Sequence, residues 1–128
     1  MKLNTLLLIN ALVALAGALG FIFAPAQMLA FHLGPLDITS LWLARELGGA
    51  VIGYALLCWF ARSITDSTAR RVIVIALFSS WAVGFVVALL RQLSGAANTN
   101  GWGAVVIYFL FALGYGYVLF LKPALMTR

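Results

Sequence analysis

Four long apolar segments, separated by short polar ones, organise this chain. They lie at about residues 3–24, 38–61, 71–93 and 102–121, and few of their side chains are charged. A helix needs about 20 mainly apolar residues, at about 1.5 Å per residue, to cross the hydrocarbon core of a bilayer. The pattern therefore predicts an all-α integral membrane protein, an up-down four-helix bundle that forms a single domain over residues 1–128.

The polar segments between the spans contain residues that stop and start helices. Pro25 can open a short helix lying in the membrane surface, and the Gly-Pro pair at 34–35 must end it. Segment 94–103 is rich in Gly and Asn, which favours a turn between antiparallel helices. The side chains that can cap the next helices are Asp37, Thr39 and Ser40 before the second span, and Thr65, Asp66 and Ser67 before the third.

Small residues recur at helical spacing within the spans. In lipid such residues let two backbones approach closely, and dispersion contacts then hold the helices together. Glu46 lies three residues before Gly49 on one helix face, so we expect it to face a close helix neighbour. The expected helix-packing rows are Gly49 and Gly53 in the second span, Ser80, Gly84 and Ala88 in the third, and Ala112 in the fourth.

Composition agrees with a membrane protein and narrows its class. Of the 128 residues, 65% are hydrophobic and 9% are charged, and the mean hydropathy is +1.11. Such a chain has too little polar surface for a soluble fold, and four spans leave no room for a soluble catalytic domain. Cys58 is the only cysteine and His32 the only histidine, so we expect no disulfide within the chain and no metal site.

Basic residues are concentrated at one end of the predicted bundle. A formal net charge of +5 would suggest nucleic acid as a partner of a soluble protein, but these side chains stand at span ends. One side of the membrane receives Lys2, Arg62, Arg70, Arg71, Lys122 and Arg128 against Asp66, while the other receives mainly His32 and Asp37. The positive-inside rule therefore predicts that both termini lie in the cytoplasm, and the position of the basic residues at span ends predicts no nucleic-acid partner.

Arg45 and Glu46 are two charged residues inside the second span. They lie about 10–12 Å along it, where each charge costs up to about 2.5–3.5 kcal/mol unless it faces protein or water. Counting from the outer end of each span brings them level with Arg91 and Tyr108. We therefore expect a polar cluster in which Glu46 accepts hydrogen bonds from Arg91 and the Tyr108 hydroxyl. Such a cluster is either a structural clamp or an intramembrane functional site, and the sequence leaves both open.

A second, weaker polar layer is predicted nearer the cytoplasmic side. It comprises side chains that hydrogen-bond between helices in lipid, namely Asn10, Tyr54, Ser79 or Ser80, and Tyr115. We expect these side chains to join the helices rather than to line a pathway.

The segment LARELGGAVIGYALL, Leu43 to Leu57, together with four short spans and few charges, resembles the DoxX-like group of small bacterial membrane proteins. The resemblance implies a four-helix fold in a bacterial inner membrane, and some members of that group look like membrane subunits associated with quinone-linked redox enzymes. It transfers no catalytic residue to this chain. Small multidrug exporters share the length and span number, but they use a lone glutamate in the first helix, whereas Glu46 lies in the second beside Arg45.

Three functions fit these observations. The first is an accessory or assembly subunit that packs against other membrane subunits, or against further copies of itself, within the lipid bilayer. The second is a small dimeric transporter or channel in which Glu46 and Arg91 gate a proton or an anion. The third is a subunit that binds a quinone or a lipid near Arg45 and Tyr108. No nucleophile–base pair or phosphate-binding loop supports an independent enzyme, and the sequence identifies no cofactor.

Overall fold

The computed structural model describes residues 2–33 and 36–126 of the chain, without the side chain of His32. Four helices in this part are long and apolar enough to cross a membrane. The helices are α1 (Leu3–Phe23), α2 (Pro25–His32), α3 (Ile38–Ala61), α4 (Ser67–Leu93) and α5 (Gly101–Gly116), and α5 continues as a π-helical turn, Tyr117–Leu121, and a 3-10 turn, Pro123–Met126. The prediction of an all-helical chain with four membrane-length helices is confirmed.

The ends of the helices follow local chemistry. Pro25 is the first residue of α2, where its missing N–H is not needed. Asp37 caps α3 by accepting hydrogen bonds from the backbone N and the hydroxyl of Ser40, at 2.9 and 2.5 Å, and these bonds lower the pKa of Asp37. Asp66 caps α4 by accepting from the backbone N of Ala69 at 2.6 Å, so this helix begins before the expected residue 71. The expected stop at 34–35, the His32 side chain and Arg128 lie outside the described residues.

The helices associate in two close antiparallel pairs, α1 with α3 and α4 with α5. In the first pair the backbones touch at Gly48, where an added Cβ atom would lie 2.9 Å from the carbonyl oxygen of Ala18. In the second pair Gly84 leaves room for the ring of Tyr108. Glycine is required at both places because any side chain would occupy the volume of the neighbouring helix.

Large side chains fill the space between the two pairs. Trp81 of α4 stacks on Phe111 of α5, with 4.5 Å between ring centroids, and meets Tyr54 of α3 edge-on at 6.1 Å. Leu6 of α1 fills the space above Gly114 of α5. The buried residues of this core are Leu3, Leu6, Leu7, Ala11, Cys58, Ala61, Val74, Leu77, Phe111, Tyr115, Val118 and Met126.

The connections at the end of the bundle opposite the start of α1 also contact each other. Leu33, directly after α2, forms an isolated antiparallel bridge with Ala97 in the loop before α5. The side-chain amide of Asn98 donates to the carbonyl oxygen of Ala30 at 3.3 Å. The α2 segment and the 94–100 loop therefore tie the two helix pairs together at this end.

The expected packing row of α3 makes no helix contact within the described part of this chain. Gly49 and Gly53 are exposed, and nothing lies within 4 Å of a Cβ atom placed on either. The buried side of α3 instead carries Gly48 with other small residues, namely Ala44, Ala55, Cys58 and Ala61. Neighbouring residues point about 100° apart on a helix, so taking Gly49 instead of Gly48 turned the predicted row out of the bundle.

The other expected packing residues, on α4 and α5, differ in how deeply they are buried. Gly84 contacts Tyr108, and Ala88 one turn later is buried at 4% exposure. Ala112 of α5 is half-buried. Ser80 is exposed on α4, and its side chain interacts with Tyr54 of α3 rather than with α5.

Candidate functional site

Among the described residues, no hydrogen bond or ion pair joins the expected partners Glu46, Arg91 and Tyr108. Glu46 is exposed, on the side of α3 opposite Gly48. The ring of Tyr108 lies between Gly84 and Trp81, with 5.1 Å between the two ring centroids. The structure therefore does not assemble the polar cluster that depth counting predicts, because that counting fixes the level of a residue but not its direction around the helix.

Arg45 of α3 is held near the C-terminal end of α1. Its Nε atom donates to the carbonyl oxygen of Ile22 at 3.4 Å, and its guanidinium lies 4.7 Å from the ring centroid of Trp42. A free carbonyl near the end of α1 and an aromatic face are both favourable sites for a guanidinium. Arg45 therefore has its own partners and leaves Glu46 without a basic neighbour among the described residues.

Arg91 lies in the last turn of α4 and is half-buried. Its Nε and Nη2 atoms are buried and find no hydrogen-bond partner in the described part of the chain. The helix dipole favours a cation at the C-terminal end of a helix, and this stabilises the charged side chain of Arg91 at the end of α4. The geometry does not give Arg91 a ligand or a carboxylate to act on.

The second polar layer does form, and it joins three helices. Asn10 of α1 donates through Nδ2 to the hydroxyl of Tyr115 in α5 at 2.7 Å and to that of Tyr54 in α3 at 3.4 Å. Asn10 and Tyr115 are fully buried. Ser79 and Ser80 are both exposed on α4, and the Ser80 side chain interacts with the hydroxyl of Tyr54, as expected for one of the two. In an apolar interior these bonds fix the relative rotation of α1, α3 and α5, which is a structural role.

The outer face of α3, the side turned away from the other helices, carries the exposed carboxylate of Glu46. We define it by one stripe along the helix, Trp42, Glu46, Gly49, Gly53 and Leu57, opposite its buried side. Every residue of this stripe is exposed, and Trp42 retains 58% of its surface. The stripe combines a carboxylate with two glycines that leave the helix backbone open to close contact.

This face is costly to leave in lipid. Glu46 lies about 12 Å from the start of α3, inside the span, where an uncompensated carboxylate costs up to about 2.5–3.5 kcal/mol. No described residue of the same chain pairs with it. Among the described residues, no three His, Cys, Asp or Glu side chains lie close enough to hold a metal ion.

Sequence reasoning missed Gly48 as the close-contact residue of α3. The signal was present, because Ala44 and Gly48 form a small-xxx-small row just as Gly49 and Gly53 do. The sequence also missed the bond between Arg70 and Asn4, in which the Nη2 atom donates to Oδ1 at 2.9 Å. Both residues lie at span ends, where many side chains are polar and the sequence does not indicate which of them form a hydrogen bond.

Comparison with known proteins gives no relative to guide the assignment. No family model, no curated protein and no solved structure matches this chain. The resemblance of Leu43 to Leu57 to the DoxX-like group stays a prediction, and the function must be argued from the geometry.

Proposed function

We propose that this protein is an assembly subunit of a membrane complex, and that it binds its partner through the outer face of α3. The observation that carries the proposal is the exposure of Glu46 beside Gly49 and Gly53, inside a helix long enough to span the membrane. A partner helix at this face would remove the carboxylate from lipid and would find two glycines that permit backbone contact.

The interior of the bundle supports assembly rather than transport. The rings of Trp81, Phe111 and Tyr108 lie between the helices, and Asn10 and Tyr115 bond to each other further along the axis. Cavities of about 400 and 260 Å³ are lined by residues at the ends of the spans, not by residues along this axis. A dimeric transporter gated by Glu46 and Arg91 would need these two side chains on one pathway, and they point to different sides of the bundle.

In this proposal the protein lies in a bacterial inner membrane, and both of its termini are on the cytoplasmic side. Its support is the distribution of charge, because the end of the bundle that holds Lys2 also holds Arg62, Arg70, Arg71 and Lys122. We call this the basic end. Basic residues are retained on the cytoplasmic side of membrane proteins.

The proposal is tested by solubilising native membranes in a mild detergent and measuring the size of the complex that holds this chain. Gly49→Leu should break that complex, because the added isobutyl group prevents a close helix contact at the outer face. Gly103→Leu is the matched control, since Gly103 is also exposed and has nothing within 4 Å of an added Cβ atom. A complex of unchanged size in both variants would refute the assignment of the α3 outer face.

A further inference from the structure

An open cavity of about 400 Å³ lies at the basic end, between the first turns of α1 and the end of α3. Four of its lining residues are polar or basic and one is apolar: Asn4, Thr5, Arg62, Ser63 and Leu8. No residue that lines this cavity belongs to the α3 outer face, so the cavity has no part in the assembly proposal. Its lining carries hydrogen-bond donors, a positive charge and an apolar edge.

Arg62 is the charged group of this cavity, and its position is fixed. Its Nε atom donates to the carbonyl oxygen of Trp59 at 3.2 Å, and its guanidinium lies 4.1 Å from the centroid of the Trp59 ring. The two terminal nitrogens make no hydrogen bond to any described residue. A guanidinium held in this way presents a planar pair of donors, which matches two oxygens of a phosphate group.

Asn4 lines this cavity, and Arg70 orients its side-chain amide. Arg70 has only donors, so the bond from its Nη2 atom at 2.9 Å identifies the Asn4 oxygen as the acceptor. The amide nitrogen of Asn4 then keeps both of its hydrogens, and no described residue accepts them. The hydroxyl of Thr5 adds a further donor to the same lining.

The surroundings of the cavity are also positive. A second cavity of about 260 Å³ adjoins it at Asn4 and adds Lys2 and Arg70 to the lining. Helix α1 begins here without a side-chain cap, so its first backbone N–H groups contribute the positive end of the helix dipole. None of the described residues that line either cavity is acidic.

We propose that this cavity binds a phosphate group, carried either by the headgroup of an anionic phospholipid or by free phosphate. Arg62 binds two phosphate oxygens, and the Asn4 amide and the Thr5 hydroxyl donate to the others. Leu8 lies one turn further into the span from Asn4, where the first carbons of an acyl chain would run. This inference is independent of the proposed function, because the two sites share no residue.

The test uses the full-length chain in an uncharged detergent. Native mass spectrometry measures the binding of phosphatidylglycerol, and inorganic phosphate is added as a competitor. We expect saturable binding of the lipid to the unaltered chain. Competition by inorganic phosphate would identify the phosphate group alone as the ligand, whereas binding that resists such competition would identify the lipid as its source.

Asn4→Asp is the decisive variant. Its carboxylate still accepts from Arg70, so the fold and the melting temperature are kept, but it places a negative charge in the cavity lining. We expect affinity to fall about tenfold or more, the worth of a charge-assisted hydrogen bond. Arg62→Gln should lower the affinity in the same way, and its melting temperature is measured alongside.

Arg71→Gln is the matched control, because Arg71 is exposed at the same end and lines neither cavity. It should bind phosphatidylglycerol as the unaltered chain does. Equal losses in Arg71→Gln and Asn4→Asp, or no saturable binding by the unaltered chain, would overturn the proposal, since a diffuse basic surface would then explain the charge effect.

Discussion

Gly48 of α3 lies directly against the backbone of Ala18 in α1, so that a Cβ atom on Gly48 would stand 2.9 Å from the Ala18 carbonyl oxygen. The side chain of Ile22 closes the same space, 2.8 Å from that Cβ position. The next residue, Gly49, has nothing within 4 Å. Two consecutive glycines of one helix therefore have opposite environments.

This contrast gives the first prediction. Gly48→Leu should destabilise the isolated chain by about 1–3 kcal/mol or more, because overpacking a close helix contact forces the backbones apart. Gly49→Leu should leave the stability of the isolated chain unchanged. Reversible unfolding in mixed detergent micelles measures both, and equal losses would show that both sides of α3 pack within one chain.

The sequence predicts the helices better than their rotation. The spans follow from the length of each apolar segment, and Asp37 and Asp66 cap helices because their side chains stand one residue before the first helical residue. Rotation is different, because Gly48 and Gly49 each fall in a small-residue row and the outward residues of a membrane protein are as apolar as the inward ones. Hydrophobicity therefore gives no signal for the buried side.

The same reasoning explains which polar residues could be predicted to meet. Asn10, Tyr54 and Tyr115 come together as expected, because their levels in the membrane agree and each lies on an inward side of its helix. Glu46 and Arg91 also agree in level, but Glu46 points outward. Level alone is therefore insufficient, and the direction of a side chain depends on packing contacts far away in sequence.

The second prediction concerns the hydrogen bonds of Asn10. Tyr115→Phe should destabilise the chain by about 0.6–1.7 kcal/mol, the range of interhelical hydrogen bonds in membranes, because it removes the acceptor at 2.7 Å. Tyr54→Phe should cost less, since its bond measures 3.4 Å. Unfolding free energies of both variants check this order, and a larger loss for Tyr54→Phe would mean that Asn10 bonds mainly to α3.

The third prediction tests the orientation of the chain in the membrane. A cysteine placed at Asn98, in the exposed loop before α5, should react with an impermeant thiol reagent from outside the cell. A cysteine at Ser67, the exposed first residue of α4, should react only after the cytoplasmic side is opened. Cys58 is buried and gives little background. The opposite pattern of labelling would invert the proposed topology and place the basic end outside.

The fourth prediction separates Glu46 from Arg91. The sequence suggests an ion pair, for which removing one partner would cost about 3–5 kcal/mol and the double variant would recover part of that loss. In the structure Glu46 is exposed, and the buried Nε and Nη2 atoms of Arg91 have no described partner. The effects of Glu46→Gln and Arg91→Leu on the stability of the isolated chain should therefore add to within about 0.3–0.5 kcal/mol.

The two variants should differ in the complex, which makes the fourth prediction informative about function as well. Glu46 belongs to the α3 outer face, so Glu46→Gln should alter association in native membranes while the isolated chain unfolds as before. Arg91→Leu should leave association unchanged, because Arg91 lies on the side of α4 that holds Gly84 and Ala88. A coupling free energy well above this additivity range would instead indicate an ion pair between Glu46 and Arg91 within the chain. The carboxylate of Glu46 would then need no partner helix.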